Sequence, residues 1–115
     1  MNAPLPPRLL GKTRINGSIS ISIWQNRDPE EKPYTVEIVT LKCSVDLRNI
    51  PVTNTYDNLV SAARDYVHII NILAETNTGG ISDWYVYDSL ANQQILSAID
   101  EQSQIWTAVV GGGEE

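Results

Sequence analysis

The chain has 115 residues, of which 42% are hydrophobic, and a formal net charge of −6 at pH 7. This length supports a single domain, residues 1–115, with one core, and the apolar content excludes a disordered chain. No run of about 18 apolar residues and no secretory signal are visible, so we expect no membrane partner. The single cysteine, Cys43, cannot form an internal disulfide, which favours a reducing, cytoplasmic location.

The charged residues are distributed unevenly along the chain. All eight Lys and Arg residues lie in residues 1–64 together with six acidic residues, a net charge of +2. Residues 65–115 contain the other eight acidic residues and no Lys or Arg, a net charge of −8. Such a division indicates either two surfaces with different partners or a C-terminal half whose acids serve solubility.

Serine and isoleucine alternate from Ser18 to Ile23, and the run ends at Trp24. Because successive side chains of a strand point to opposite faces, the alternation predicts a strand with one apolar and one hydroxyl-bearing face. We expect the isoleucines to cover the core and Trp24 to lie with the serines on the other face. Residues 1–10, which contain three prolines, are predicted to form an extended arm.

A second β-prone segment, Tyr34–Leu47, follows a polar loop at Asn26–Pro33. Up to Ile38 its apolar residues occupy even-numbered positions, and from Val39 onwards they occupy odd-numbered positions. A slip of one residue is what a β-bulge or a break between two strands produces, so we expect a bulge or bend at this point.

The segment Tyr56–Ala74 has the apolar spacing of a helix, with candidate N-caps at residues 53–55 and a stop signal at Gly79 and Gly80. Its apolar stripe is wider than an ordinary amphipathic helix requires. We therefore expect an interface between copies of the chain, formed by Leu59, Tyr66, Ile69, Ile70 and Leu73.

The aromatic segment Ser82–Tyr87 predicts a short strand, and a second helix follows to about Trp106. Residues 111–115 are predicted to be a flexible acidic tail. The order of elements predicts an α+β fold: an antiparallel, bent β-sheet followed by a long helix, then a short strand and a second helix. The sequence leaves open whether a ligand pocket is lined by Trp84, Tyr85 and Tyr87.

Enzyme signatures are absent from the sequence, which has neither a dinucleotide-binding glycine motif nor a phosphate-binding loop. His68 is the only histidine, and one histidine with one cysteine does not make a metal site. Cys43 falls on the same face of its predicted strand as the apolar residues around it. A buried thiol has little reactivity, so a Cys43–His68 nucleophile–base pair is not favoured. We expect a non-catalytic protein without metal or cofactor.

A nucleic-acid-binding surface is the better-supported kind of site, because aromatic side chains on a sheet stack bases and nearby cations neutralise phosphates. Trp24 and Tyr34 are the candidate stacking residues. The candidate phosphate-binding residues are Arg14, Arg27, Lys42 and Arg48. The alternative for Trp24 is packing at the edge of the core, since large aromatic side chains usually bury most of their area.

The layout resembles the PC4-like group of single-stranded-DNA-binding proteins over about residues 14–74. The matching features are a strand, a polar loop, a long bent strand and a long helix, at Gly17–Trp24, Asn26–Pro33, Tyr34–Leu47 and Tyr56–Ala74. Small phage-encoded members are of similar size, and the resemblance implies a dimer paired through the helix. It also implies that the acidic tail at residues 111–115 contacts replication partners. Residues 84–106 add elements that this pattern lacks.

Two hypotheses follow for the function. The first is a non-catalytic, sequence-independent protein that binds single-stranded nucleic acid and acts as a homo-oligomer. The alternative is an oligomeric protein-interaction module of a structural, assembly or inhibitory kind, whose acidic residues 65–115 bind a basic protein partner.

Overall fold

The fold is described from a computed structural model, which covers residues 6–41, 45–77 and 80–102. It confirms the predicted α+β class, with an antiparallel sheet and two helices. The elements in chain order are β1 (Arg8–Ile15), β2 (Ile19–Gln25), β3 (Tyr34–Thr40), β4 (Thr53–Tyr56), α1 (Leu59–Thr76), β5 (Ile81–Val86) and α2 (Ser89–Gln102).

The strands form one five-stranded antiparallel sheet in the order β4-β3-β2-β1-β5. The first four strands are a meander, in which each strand pairs with the next along the chain. Helix α1 then carries the chain from β4 at one edge of the sheet back to β5 at the other edge. The segment that follows β4 therefore lies across the sheet, which places its apolar side on the strands.

Both helices pack on the same face of the sheet. The isoleucines of β2 are fully buried there, as the alternation predicted, together with Leu10, Ile15 and Val36 from the neighbouring strands. Helix α2 contributes Ala91, Ile95, Ala98 and Ile99 to the same core. The molecule thus has two layers, and none of the described elements covers the second face of the sheet.

The wide apolar stripe of α1 has an explanation within one chain. The helix contacts the sheet on one side and α2 on another, so more of its circumference is buried than in a helix with one neighbour. Tyr66, Ile70 and Leu73 are fully buried and Ile69 is 2% exposed, while Leu59 is half-buried against the core. The four buried side chains are not available to a second copy, so an interface formed through them is wrong, and Leu59 alone keeps some exposed surface.

Several predicted boundaries are also wrong. The arm ends earlier, because residues 8–10 belong to β1, which the sequence pattern did not predict. No bulge interrupts the pairing of β2 with β3: Ile38 and Val39 stay in register, and β3 ends at Thr40. The residues proposed as N-caps form β4, and Asn58 caps α1 by accepting from the Ser61 N–H at 2.8 Å.

Some predictions lie outside the described residues. These are the start of the arm, the far end of the second helix at Trp106, the acidic tail at 111–115, and the side chains of Lys42 and Cys43. Within the described part, neither helix has the length and apolar character needed to cross a membrane.

The open face of the sheet as a candidate binding site

The face of the sheet opposite α1 and α2 is called the open face. Strand pairing determines which side chains share it, because directly opposite residues of antiparallel strands point to the same side. One row across the sheet consists of Thr53, Glu37, Ser22, Lys12 and Tyr85. The next row consists of Val39, Ser20, Arg14 and Asp83.

The serines of β2 form the floor of this face. Ser20 and Ser22 are each only 7% exposed, although none of the described elements packs on them. Longer side chains stand directly beside them on both neighbouring strands, Lys12 and Arg14 on β1 and Glu37 and Val39 on β3. Ser20 and Ser22 are therefore recessed between longer side chains, and this recess is called the serine groove. Serine hydroxyl groups both donate and accept hydrogen bonds.

The cations of the open face differ from the others in their ion pairing. Within the described residues, four Lys and Arg side chains lie within 4.0 Å of a carboxylate, in the pairs Arg8–Asp88, Lys32–Asp57, Arg48–Asp46 and Arg64–Glu101. No described carboxylate lies within that distance of Lys12, Arg14 or Arg27. The charges of these three side chains are therefore available to an anionic ligand.

Aromatic side chains lie at two places on this surface. Trp24 is half-buried at the end of the serine row, opposite Leu9 of β1. Tyr85 on β5 and Tyr87 just beyond it are 51% and 62% exposed. Their rings are nearly parallel, at 7°, with centroids 6.5 Å apart. Exposed aromatic rings beside unpaired cations are the components of a stacking platform for bases.

The structure brings together only part of the predicted nucleic-acid site. Trp24 and Arg14 lie on the open face, and Arg27 lies in the loop that follows β2. Tyr34 is opposite Gln25 and Tyr56 on the helix-covered side, where it packs against the core. Arg48 lies in a turn beside Ile72 and Thr76 of α1, away from the serine groove. Tyr34 and Arg48 therefore cannot act with Trp24 on one surface, and that part of the predicted site is wrong.

Lys12, Tyr85 and Tyr87 were missing from the predicted site. The signal for Lys12 was present, since Lys12 and Arg14 have the spacing of neighbours on one face of a strand. It was missed because β1 was not predicted as a strand. Tyr85 and Tyr87 have the same two-residue spacing, but only the pairing of Lys12 with Tyr85 shows which face they share with the cations.

A second group of polar side chains lies on the exposed side of α1, where Ser61, Asp65 and His68 line a groove. The hydroxyl of Tyr56 donates a hydrogen bond to the Asp65 carboxylate. Burial raises the pKa of Asp65, and the nearby His68 opposes this shift. The described part of the chain contains no cluster of three or more residues that could hold a metal ion. This group therefore serves here as a link between β4 and α1.

Comparison with known proteins does not identify this chain. No protein family, curated protein or solved structure matched it. The resemblance to the PC4-like proteins stays a prediction, and the function has to be argued from the open face itself.

Proposed function

We propose that the open face binds single-stranded nucleic acid without sequence preference and without catalysis. The observation that carries this proposal is the position of the cations that have no ion pair among the described residues. Lys12 and Arg14 line one wall of the serine groove, and Arg27 follows Trp24 at its end. Cations neutralise phosphates, serine hydroxyls bond to phosphate or sugar, and the indole stacks on a base of any sequence.

The acidic side chains on the same face limit the strength of this interaction. Glu37 stands across the groove from Lys12, and Asp83 is opposite Arg14 on β5. Their negative potential opposes the approach of phosphates. We therefore expect weak, strongly salt-dependent binding that depends on stacking as much as on charge.

The first test is a titration of labelled single-stranded DNA at several salt concentrations. Three phosphate contacts, one each from Lys12, Arg14 and Arg27, predict a slope of about −2 for log K against log salt, since each contact to a single strand contributes about −0.7. Arg14→Gln should reduce the steepness by roughly 0.7. Trp24→Leu should weaken binding about 5-fold or more, because a stacked base contributes roughly 1–3 kcal/mol.

Arg48→Gln is the matched control. It removes the same charge from the chain, but Arg48 lies on the helix-covered side. Equal effects of Arg14→Gln and Arg48→Gln would show that only net charge matters, and the open face would lose its role. Circular dichroism melts of each variant separate loss of binding from loss of fold.

A protein-interaction module is the second candidate, and the exposed side of α2 favours it. That side combines exposed Leu90 and Leu96 with Asp100 and Glu101, near the end of the described helix. An apolar and acidic helix surface suits a basic protein partner. If the titration shows no binding to single-stranded DNA even at low salt, this surface becomes the better candidate. We assign no surface to a homo-oligomer, because most of the apolar stripe of α1 that was predicted to form its interface is buried within one chain.

A further inference from the structure

The parallel tyrosine rings of β5 have a spacing that follows from strand geometry. Residues two apart on one strand are separated by about 6.6 Å, twice the rise per residue. The Tyr87 N–H donates to the Leu10 carbonyl at 2.8 Å, so pairing with β1 continues past the end of β5 and holds this residue in place. The ring centroids of Tyr85 and Tyr87 are accordingly 6.5 Å apart.

This separation is close to twice the thickness of an aromatic ring. Stacked bases in nucleic acid follow one another at about 3.4 Å, so one base between two rings requires about 6.8 Å from ring to ring. An aromatic pair in direct offset contact has its centroids at roughly 4.5–7 Å, and the tyrosines are near the upper end of that range. Both rings are more than half exposed, so solvent reaches them, and the rings have to separate by at least about 0.3 Å to admit a base.

The surroundings of the two rings favour a nucleotide over other planar ligands. Lys12 is directly opposite Tyr85 on β1 and has no described carboxylate within ion-pair distance. It provides a positive charge for a phosphate beside the rings. Tyr87 also lines a groove of about 420 Å³, whose polar lining residues are Asp88, Ser89 and Asn92. These polar side chains suit the exocyclic groups of a base or the hydroxyl groups of a sugar.

We propose that Tyr85 and Tyr87 form a slot that holds one base of a bound single strand between their rings, with Lys12 at its phosphate. This inference rests on the proposed function of the open face, which it extends from β2 to β5. The strand of nucleic acid then runs across the sheet, from Trp24 over β1 to the slot. Adjacent strands are about 4.8 Å apart, so β2 and β5 are separated by roughly 10 Å.

The test uses the full chain and an eight-nucleotide single-stranded DNA of mixed sequence. Tyr85→Leu and Tyr87→Leu should each weaken binding about 5-fold or more, while Tyr85→Phe should bind within about 2-fold of the original chain, since the ring and not the hydroxyl makes the contact. Leu90→Ala removes a neighbouring exposed side chain and is expected to leave the affinity unchanged. The variant that carries both Tyr85→Leu and Tyr87→Leu should lose less affinity than the product of the two single fold-losses, because both rings contact the same base.

The outcomes separate the slot from the wider proposal. If the original chain binds the DNA and Trp24→Leu weakens it, while both tyrosine variants stay within about 2-fold, the slot is wrong and the open face remains. If the losses in the double variant multiply, the rings stack on separate bases, which also overturns the slot. A titration with AMP completes the test: if AMP binds and Tyr85→Leu abolishes this, while no DNA binding occurs, the two rings hold a base but the proposed binding of single strands is overturned.

Discussion

At the scale of single residues, the hydrogen bond between Thr13 and Tyr66 stands out, because it lies within an apolar core. The two hydroxyl oxygens are 2.6 Å apart, and both residues are fully buried. Burial raises the pKa of the Tyr66 phenol, so it stays neutral and can donate to Thr13. A threonine on the core side of β1 is therefore explained by the hydroxyl of the helix residue that it contacts.

Tyr66→Phe should lower the free energy of unfolding by about 1–3 kcal/mol, because it leaves the Thr13 hydroxyl buried without this partner. Adding Thr13→Val should recover much of that loss, since the valine has nearly the shape of threonine and needs no hydrogen bond. Urea unfolding of the two single variants and the double variant measures the coupling. Purely additive effects would mean that the two hydroxyls contribute independently.

At the scale of elements, the contact between β1 and β5 depends on Gly11. A Cβ at this position would lie 3.2 Å from the backbone carbonyl oxygen of Tyr85 and 3.4 Å from Cγ2 of Ile23. Gly11 also follows the irregularity in the pairing of β1 with β2. The close approach of these two strands is what places Tyr85 beside Lys12.

Gly11→Ala should therefore lower the free energy of unfolding by about 1–3 kcal/mol, the usual range for overpacking. It should also weaken DNA binding, because β5 has to move to accommodate the methyl group. Gly17→Ala is the control: Gly17 has a φ of 74° and open space around it, so alanine there strains the turn without displacing β5. Urea unfolding and DNA titration of both variants test this, and unchanged binding by Gly11→Ala would contradict it.

The elements differ in how well the sequence predicts them, for identifiable physical reasons. β2 was predictable because its alternation is unbroken and one of its faces is fully buried. β1 was not, because the irregularity between Leu9 and Gly11 breaks its alternation. The shift of the apolar residues to odd-numbered positions at Val39 predicted a bulge that the structure does not contain. The reason is that Val39 and Leu41 are apolar but exposed, at 45% and 64%.

The same reasons apply to the candidate site. The face of Trp24 followed from the alternation in β2, and that of Arg14 follows once β1 is known. The predicted site combines Tyr34 with Trp24, although Tyr34 has the spacing of Val36 and Ile38 on one strand face. The pairing of β3 with β2 shows that this face is the core side. Tyr85 joins the site only through the pairing of β1 with β5, two segments about 70 residues apart in sequence. No local pattern predicts a contact of that range.

At the scale of the whole molecule, both layers carry charged side chains, and carboxylates connect one layer to the other. Among the described residues, the three cations without an ion pair lie on the open face or in the loop beside it, where carboxylates are also present, whereas Glu75, Asp100 and Glu101 are exposed on the helices. Two further carboxylates connect the layers to each other. Asp65 of α1 accepts from Tyr56 of β4, and Asp88 before α2 pairs with Arg8 of β1 at 2.9 Å.

These two carboxylates should affect the stability of the fold in opposite ways as the pH changes. Burial raises the pKa of Asp65 above its ordinary 3.8, so the native state holds this proton more tightly than the unfolded state. Its contribution to stability is lost as the pH rises through the raised value. Hydrogen bonds, first from the Ala91 N–H and then from Arg8, lower the pKa of Asp88 from 3.8. Its contribution is present above 3.8 and is lost as the pH falls through the lowered value.

Asp65→Asn should therefore gain stability relative to the original chain at pH 7, and this relative gain should shrink towards pH 3 as the native aspartate becomes protonated. Asp88→Asn should lose stability at pH 7, and its relative loss should shrink only below about pH 3.8, because the unfolded state begins to take up its proton there while the native carboxylate stays charged to a lower pH. Urea unfolding of both variants and the original chain between pH 3 and pH 7 measures the two differences. If both substitutions changed the free energy of unfolding in the same direction at pH 7, the opposite pKa shifts assigned to Asp65 and Asp88 would be contradicted.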